Sequence, residues 1–155
     1  MTELPLPANA TELERFILDS IPLSRAMQMQ LAGYDGQRLT LRAPLAPNAN
    51  DKGCAFGGSL ASLMTLAGWS LVELKLREAG EDCDLFIGNS ELRYLAPVWE
   101  AISAEAELTE DPDWTRFFAT LAQRGRARAT IACRVPGAQG AAAEMTARFV
   151  AKRRA

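Results

Sequence analysis

The chain contains no histidine among its 155 residues. This absence excludes Ser-His-Asp and Cys-His catalysis and most catalytic zinc sites, because each of them needs an imidazole as a base or a ligand. Any chemistry must therefore use carboxylates, hydroxyls, amides, a thiol or backbone N–H groups. The stretch that brings such groups next to an apolar segment is PNANDKGCAFGGSLASLMTLAGWSLVELKLR, which runs from Pro47 to Arg77.

Gly57, Gly58 and Ser59 mark the expected start of a helix in this stretch. Ser59 is the predicted N-cap, because its hydroxyl can accept a hydrogen bond from the free N–H groups of the first turn. The two glycines before it allow another backbone or a ligand to approach closely. We expect the helix to span about residues 59–78, with Gly80 just beyond its last turn.

Apolar side chains cover most of the surface of this predicted helix, which must therefore be buried on most sides. The segment from Cys54 to Val72 has 19 residues without a charge. However, the Gly-Gly-Ser break leaves 13 residues from Leu60 to Val72, whereas roughly 20 are needed to cross a bilayer. The sequence predicts a central core helix and no membrane span.

Composition favours one globular domain over residues 1–155, since 48% of the residues are hydrophobic and can form a sizeable core. The net charge of −2 gives no reason to expect a nucleic-acid partner. The N-terminal segment has neither a basic nor an apolar region of the secretory type, so a cytoplasmic protein is expected. Cys54, Cys83 and Cys133 lack a CxxC pair, which predicts reduced thiols and neither disulfides nor a metal site.

The rest of the pattern predicts mostly antiparallel strands and two peripheral helices. One helix opens at Thr11 within an N-terminal extension of residues 1–22. The other follows Asp111-Pro112-Asp113 within an insertion at residues 111–124. Alternating polarity and turn signals predict the strands. They cover Met27 to Leu31, Arg38 to Ala43, Leu85 to Tyr94, Val98 to Thr109, Arg126 to Val135 and Glu144 to Lys152. A curled sheet around one long helix is an α+β fold.

Two motifs carry a family resemblance: N-A-N-D-K-G-x-x-F-G-G-S, ending at Ser59, and S-E-L-R-Y-L-A-P-V, starting at Ser90. With the order of elements, they resemble the hot-dog-fold thioesterases, and most closely the putative thioesterase domain of the YiiD C-terminal type. The likeness covers about residues 21–153. It implies a hot-dog fold and a homodimer that pairs Leu85 to Tyr94 across its two-fold axis, leaving further pairing into tetramers open.

The resemblance also implies acyl-thioester sites at the dimer interface. Coenzyme A or phosphopantetheine would enter as part of the substrate, and no separate cofactor or metal is expected. Better-understood hot-dog thioesterases carry N-x-x-G-x-x-H-G-G and, nine residues after the His, an Asp or Glu on the helix. This chain has Phe56 in place of the His and Thr65 in place of the carboxylate.

Each candidate residue near the helix start has a structural alternative. Gly57 and Gly58 either allow close packing or, with the helix dipole and beside Ser59, bind a thioester carbonyl as an oxyanion hole. Asn50 either stabilises a turn or holds the attacking water or the carbonyl. Thr65 lies seven residues beyond Gly58 on the same helix face. It either bonds back to the carbonyl four residues earlier or positions the water.

The general base is the least defined part of the predicted site. Asp51 is the first candidate and Glu91 the next, although either can be a solvated carboxylate. Asn89 occupies a position on the long strand that faces the active site in some relatives. Cys54 is better explained as an inert thiol, because no histidine is present to lower its pKa.

Arg124, Arg126 and Arg128 alternate with small residues, so a strand would place all three guanidinium groups on one face. They form either a solvated strand edge or a phosphate clamp for coenzyme A or for the phosphopantetheine of an acyl carrier protein. Two hypotheses result. The first is hydrolysis of an acyl thioester by water, as in fatty acid metabolism. The second is a catalytically inert acyl-binding or dimerisation domain.

Overall fold

The computed structural model describes residues 6–109 and 114–154, and this part of the chain forms a six-stranded antiparallel sheet curled around one long helix. The helices are α1 (Ala8–Ser20), α2 (Pro22–Ala26), α3 (Gly57–Glu78) and α4 (Trp114–Arg124). The strands are β1 (Gln30–Tyr34), β2 (Arg38–Ala43), β3 (Cys83–Tyr94), β4 (Ile102–Leu108), β5 (Arg126–Gly137) and β6 (Gly140–Arg153). Their order in the sheet is β1-β2-β4-β5-β6-β3, so β3 forms one edge.

The sheet buries one face against α3, as the alternating sequence pattern predicts. On β5 and β6 every second side chain is buried, including Ile131, Cys133, Met145 and Phe149. The side chains between them point to the outer face of the sheet. This arrangement confirms the predicted α+β hot-dog architecture with its central helix.

Helix α3 begins two residues before the predicted start. Phe56 occupies the N-cap position, and its carbonyl accepts from the N–H groups of Ser59 (2.9 Å) and Leu60 (3.0 Å). The prediction that Ser59 is the N-cap is therefore wrong, because two flexible glycines continue the helix back to Phe56. The other end is as predicted: Gly80 has φ +71°, and the Glu81 N–H donates to the Leu76 carbonyl in a Schellman turn.

Other element ends differ from the sequence pattern for local reasons. Helix α1 begins at Ala8, because the Pro7 carbonyl accepts from the N–H groups of Ala10 and Thr11. Strand β1 begins at Gln30, after Gln28 with its φ of +58°. Strand β4 begins at Ile102, while Val98 lies before it. The predicted Asp111-Pro112-Asp113 helix start lies outside the described residues.

Cys54, Cys83 and Cys133 are free and buried, as predicted. Within the described ranges, no helix combines the length and apolar character that a bilayer crossing requires.

The closest approach of α3 to the sheet occurs at Gly68. A Cβ atom at this position would lie 2.7 Å from the Phe149 ring and 3.3 Å from the Cys133 Sγ atom. Phe149 is fully buried and cannot move aside. Two positions further along α3, the Ser70 hydroxyl is buried and has no hydrogen-bond partner among the described residues.

Substitution by alanine should lower the stability of the fold at Gly68 but not at Ser70. Gly68→Ala gains about 1 kcal/mol in helix propensity but meets an overpacking cost of about 1–3 kcal/mol, so we expect a net loss of stability. Ser70→Ala removes a buried, unpaired hydroxyl and should be neutral or stabilise the fold by up to about 1 kcal/mol. Urea unfolding at one fixed protein concentration measures both. A Gly68→Ala variant as stable as the wild type would contradict the packing explanation.

Candidate active site at the start of the central helix

Two backbone donors lie unpaired at the start of α3. The N–H groups of Gly57 and Gly58 have no acceptor among the residues that the structure describes. They occupy the positive end of a 22-residue helix dipole. Gly57 is half-buried and Gly58 is exposed, with the Phe56 ring lying against Gly58. The geometry is that of an anion or oxyanion site.

Apolar side chains surround this helix start. Tyr94 lies over Gly57, since a Cβ atom there would be 3.6 Å from the tyrosine ring. The Ala55 N–H donates to the Val98 carbonyl at 2.8 Å, which brings the following residue, Trp99, towards the same region. Phe56, Tyr94 and Trp99 are 55%, 57% and 62% exposed.

Asn48, which the motif reading did not single out, holds the loop before α3. It is 2% exposed, and its Nδ2 donates to the carbonyls of Met27 (3.0 Å) and Pro44 (2.8 Å). Its own carbonyl accepts from the Phe56 N–H at 2.7 Å. Asn48 thereby fixes where α3 begins. Its position as the first residue of the N-A-N-D motif was the sequence signal that could have identified it.

The Asn50 side chain stabilises the turn before α3, which is one of the two roles predicted for it. Its Oδ1 accepts from the N–H groups of Lys52 (2.8 Å) and Cys54 (3.2 Å), and its Nδ2 lies 3.2 Å from the Cys54 Sγ atom. Gly53 closes the turn with φ +89°. Both ends of the Asn50 amide are therefore used within the loop.

Asp51 projects from this turn into solvent. Its carboxylate forms an ion pair with Lys52 at 3.1 Å, and its side chain is 80% exposed. An exposed pair of this kind contributes about 0–1 kcal/mol, so it does not hold the carboxylate firmly in place.

Thr65 lies two turns further along α3 and is half-buried. Its Oγ1 donates to the Ala61 carbonyl at 2.8 Å and lies 3.8 Å from the Met145 Sδ atom. The hydrogen bond from the Thr65 hydroxyl to the carbonyl four residues earlier, which was predicted as its structural role, is therefore present. The side chain nevertheless faces the region between α3 and the β6–β3 side of the sheet, the same side that Gly57 faces.

Two contacts connect α3 to β3 and bound the space between them. At one end Tyr94 lies against Gly57. At the other the Trp69 Nε1 donates to the Leu85 carbonyl at 3.1 Å. Thr65 lies between these contacts. We call this space the α3–β3 cleft; Trp69 is the residue in it that motif matching could not identify.

A β-bulge at Gly88 changes which side chains of β3 face the cleft. The register shifts between Ile87 and Asn89, so Asn89 pairs with Arg148 and Ser90 pairs with the buried Ala147. Asn89 and the following alternate residue, Glu91, therefore lie on the outer face, away from α3 in their own chain. Ser90 takes the inward position instead. A glycine inside a strand pattern is the sequence signal for such a bulge.

The three arginines do not share one strand. Arg124 ends α4, whereas Arg126 and Arg128 lie on the outer face of β5. The prediction of a single strand row is therefore wrong for Arg124, because Gly125 with φ +70° ends the helix and starts the strand. All three still line one groove between α4 and β5.

Cys83 and Cys133 are not placed for nucleophilic chemistry. Burial raises the pKa of Cys133 to about 12 despite a hydrogen bond from the backbone, and burial also raises the pKa of Cys83. Both thiols thus stay protonated at neutral pH. Across residues 6–109 and 114–154, no group of three Cys, Asp or Glu side chains is arranged to hold a metal ion.

Comparison with known proteins agrees with this architecture. The fold is that of the hot-dog thioesterases. The chain belongs to the YiiD C-terminal family of putative thioesterases, whose model matches residues 10–153.

Solved structures with the same fold come from several bacteria. A protein of unknown function from Chlorobaculum tepidum has a TM-score of 0.89 and 28% identity, with 94% of each chain covered. A putative thioesterase from Shewanella oneidensis has a TM-score of 0.80 and 27% identity, covering 93% of this chain and 97% of its own. A thioesterase from Haemophilus influenzae, at 12% identity and TM-score 0.70, shares the fold over 98% of this chain and 93% of its own.

Proposed function

We propose that this protein hydrolyses an acyl thioester of coenzyme A or of an acyl carrier protein at the start of α3. The observation that carries the proposal is the pair of N–H groups of Gly57 and Gly58, which have no acceptor among the described residues. A thioester carbonyl bound there would develop its negative charge against two fixed donors and the positive end of the helix. Membership of a putative thioesterase family supports the same chemistry. The buried, free thiols suit the reducing cytoplasm.

The attacking group in this proposal is water. A Thr65 acyl-enzyme is disfavoured, because the threonine hydroxyl already donates to the Ala61 carbonyl and no base contacts it among the described residues. Thr65 instead helps to position the water from inside the cleft. Asp51 is the proposed general base, since its weak ion pair leaves it free to turn towards the helix start. Glu91 is a poorer choice because it lies on the outer face.

The turn bonds of Asn50 define its part in this scheme. The amide holds the loop that carries Asp51, and so it positions the base more directly than it could position water. The rival function, an inert acyl-binding domain, is favoured by the back-bonded Thr65 at the position where active relatives place a carboxylate.

The first test is release of free thiol from acyl-CoAs of graded chain length, with variants at the two proposed positions. Asp51→Asn should lose about 100-fold or more in kcat, the lower end of the range for a general base. Thr65→Val should lose at least tenfold less than that. Lys52→Gln is the control, because it removes the ion-pair partner and keeps the carboxylate.

Two results would contradict this mechanism. A larger loss in Thr65→Val, with an acyl adduct on Thr65 by mass spectrometry, would replace water attack with an acyl-enzyme. Tight binding of an acyl-CoA without turnover of any thioester would establish the inert rival.

The α3–β3 cleft should set the length of the acyl chain. Gly58 and Trp69 are eleven residues apart, or about 16 Å along the helix, and the indole ring closes the far end. Trp69→Ala should shift the preferred substrate to longer chains, since one methylene that does not fit a pocket changes kcat/KM by about 10- to 200-fold. Trp114→Ala on α4 is the matched control. Ratios of kcat/KM within each variant cancel any loss of folded protein, and an unshifted ratio in Trp69→Ala would exclude this role.

We also propose that β3 pairs with β3 of a second copy. Of eight large apolar side chains exposed in the described part of the chain, six lie on β3 or near the start of α3. They include Phe86 (62% exposed) and Ile87 (41%) on the strand itself. A long apolar edge strand of this kind is normally covered, and antiparallel pairing across a two-fold axis covers it.

Light scattering at micromolar concentration should therefore find a dimer. Ile87→Glu places like charges near the axis and should shift the equilibrium towards monomer. Leu23→Glu, at an exposed apolar residue on α2, should not. A monomeric wild type, or equal effects of both changes, would refute the β3 interface.

A further inference from the structure

The outer face of β5 and β6 carries four cations without counter-ions. Arg126 on β5 is directly opposite Lys152 on β6, whereas Arg128 is opposite Val150 and Arg148 is opposite Thr130, so these two cations are only diagonal neighbours in the cluster. None of the four has an ion pair with any residue that the structure describes. By contrast, Arg134 in the same row of β5 lies 3.6 Å from Glu105.

Without a bound anion, these neighbouring positive charges destabilise the sheet. Like charges directly opposite each other on neighbouring strands are destabilising. The chain has 19 acidic and 17 basic residues, so carboxylates are not scarce. Asp84 is directly opposite Lys152 in the β6–β3 register, but it forms its ion pair with Arg154 at 2.9 Å. Glu91 lies on the same outer face, near Arg148, and it too forms no ion pair with the four cations among the described residues.

A groove of about 560 Å³ runs between α4 and this part of β5. Its walls include Thr120 and Arg124 from α4, and Arg126, Arg128 and Thr130 from β5. The volume lies within the usual range of small-molecule sites. Guanidinium groups bind phosphate oxygens through paired, charge-assisted hydrogen bonds. The Thr130 hydroxyl can add a donor, whereas the Thr120 hydroxyl already donates to the Arg116 carbonyl at 3.0 Å.

We infer that this arginine groove binds the phosphorylated nucleotide end of coenzyme A, an adenosine bisphosphate group. The inference rests on the proposed function, since it names the carrier of the acyl group. Several phosphates on a small ligand match several arginines on the two walls of a groove. If the ligand were instead an acidic protein surface, it would need a broader cationic face and would not require the groove.

The proposed dimer brings this groove to the reacting end of the other chain. Within one chain, Arg128 is level with Phe86, whereas the start of α3 is level with Tyr94, seven register steps or about 24 Å further along the sheet once the bulge at Gly88 is allowed for. Antiparallel pairing of two β3 strands exchanges their ends. The partner's β5 then lies three strand spacings, or about 14 Å, from the β3 end that contacts α3. One protomer would bind the thioester and its partner the nucleotide.

Calorimetric titration with adenosine 3′,5′-bisphosphate tests the groove without any need for turnover. The wild type should bind it, and Arg126→Ala/Arg128→Ala should weaken binding by about ten- to a hundredfold or more, as expected for lost hydrogen bonds to charged groups. Arg126→Lys/Arg128→Lys should recover part of the loss, because lysine keeps the charge but not the paired geometry. Arg134→Ala, which changes a paired arginine of the same strand, should bind normally.

Kinetics then connect the groove to the substrate. The double alanine variant should raise KM for acyl-CoA with little change in kcat, and leave an acyl-pantetheine thioester, which lacks the nucleotide, unaffected. Absence of bisphosphate binding, equally tight binding of inorganic pyrophosphate, or an equal loss in Arg134→Ala would overturn the inference. So would an effect of the double variant on acyl carrier protein binding alone. Bisphosphate binding without thioester hydrolysis would leave the groove assignment intact and refute the proposed hydrolase.

Discussion

The structure depends on enclosing a helix that has almost no charge over its first sixteen residues. Helix α3 supplies more residues to the buried apolar core than any other element, and the sheet must curl to reach it from several sides. Gly68 sets how near the helix can come, because Phe149 occupies the space that a side chain there would need. The enclosure is incomplete on the side of β3, which is an edge strand. The cleft, the apolar edge and the accessible helix start are all consequences of that opening.

Without histidine, backbone N–H groups are one of the few sources of electrostatic stabilisation left to the proposed site. The N-terminus of α3 suits this need, since its donors are fixed by the fold and need no reorganisation when charge develops. Removing one such donor in another hydrolase lowers the rate by about 100- to 1,000-fold, which is comparable to the effect of a positioned general base. On the proposed function, a site with two good donors and a weakly held base would hydrolyse a reactive thioester slowly, in keeping with Thr65 at the position of the helix carboxylate in this chain.

Sequence reasoning succeeded where one strong pattern determines the structure. The apolar character of Leu60 to Val72 and the alternation of β5 and β6 are large signals that packing reinforces, so the central helix and the curled sheet were predictable. Sequence reasoning failed where a single local feature of the backbone determines which way a side chain points or where a helix begins. The bulge at Gly88 moves Asn89 and Glu91 to the outer face and Ser90 inwards, and alternation alone cannot show this. The Phe56 carbonyl displaced Ser59 as the helix cap for a similar reason, since two glycines can extend a helix at little cost.

The distribution of polar groups along β3 and its neighbours follows from the same geometry. Among the described residues, the side chains between α3 and β3 are mostly apolar, with Thr65, Ser90 and the Tyr94 hydroxyl as polar groups, and none carries a positive charge that would attract a phosphate. The cations lie on the outer face, at the end of the sheet away from the helix start. A single chain therefore separates the two chemistries that an acyl-CoA requires. In the proposed dimer, a two-fold axis at β3 would reverse the second chain and bring unlike ends together, so that covering the apolar edge and completing the proposed substrate site would be one event. Dimerisation and substrate binding should then be thermodynamically linked, with the substrate favouring the dimer as much as the dimer favours the substrate.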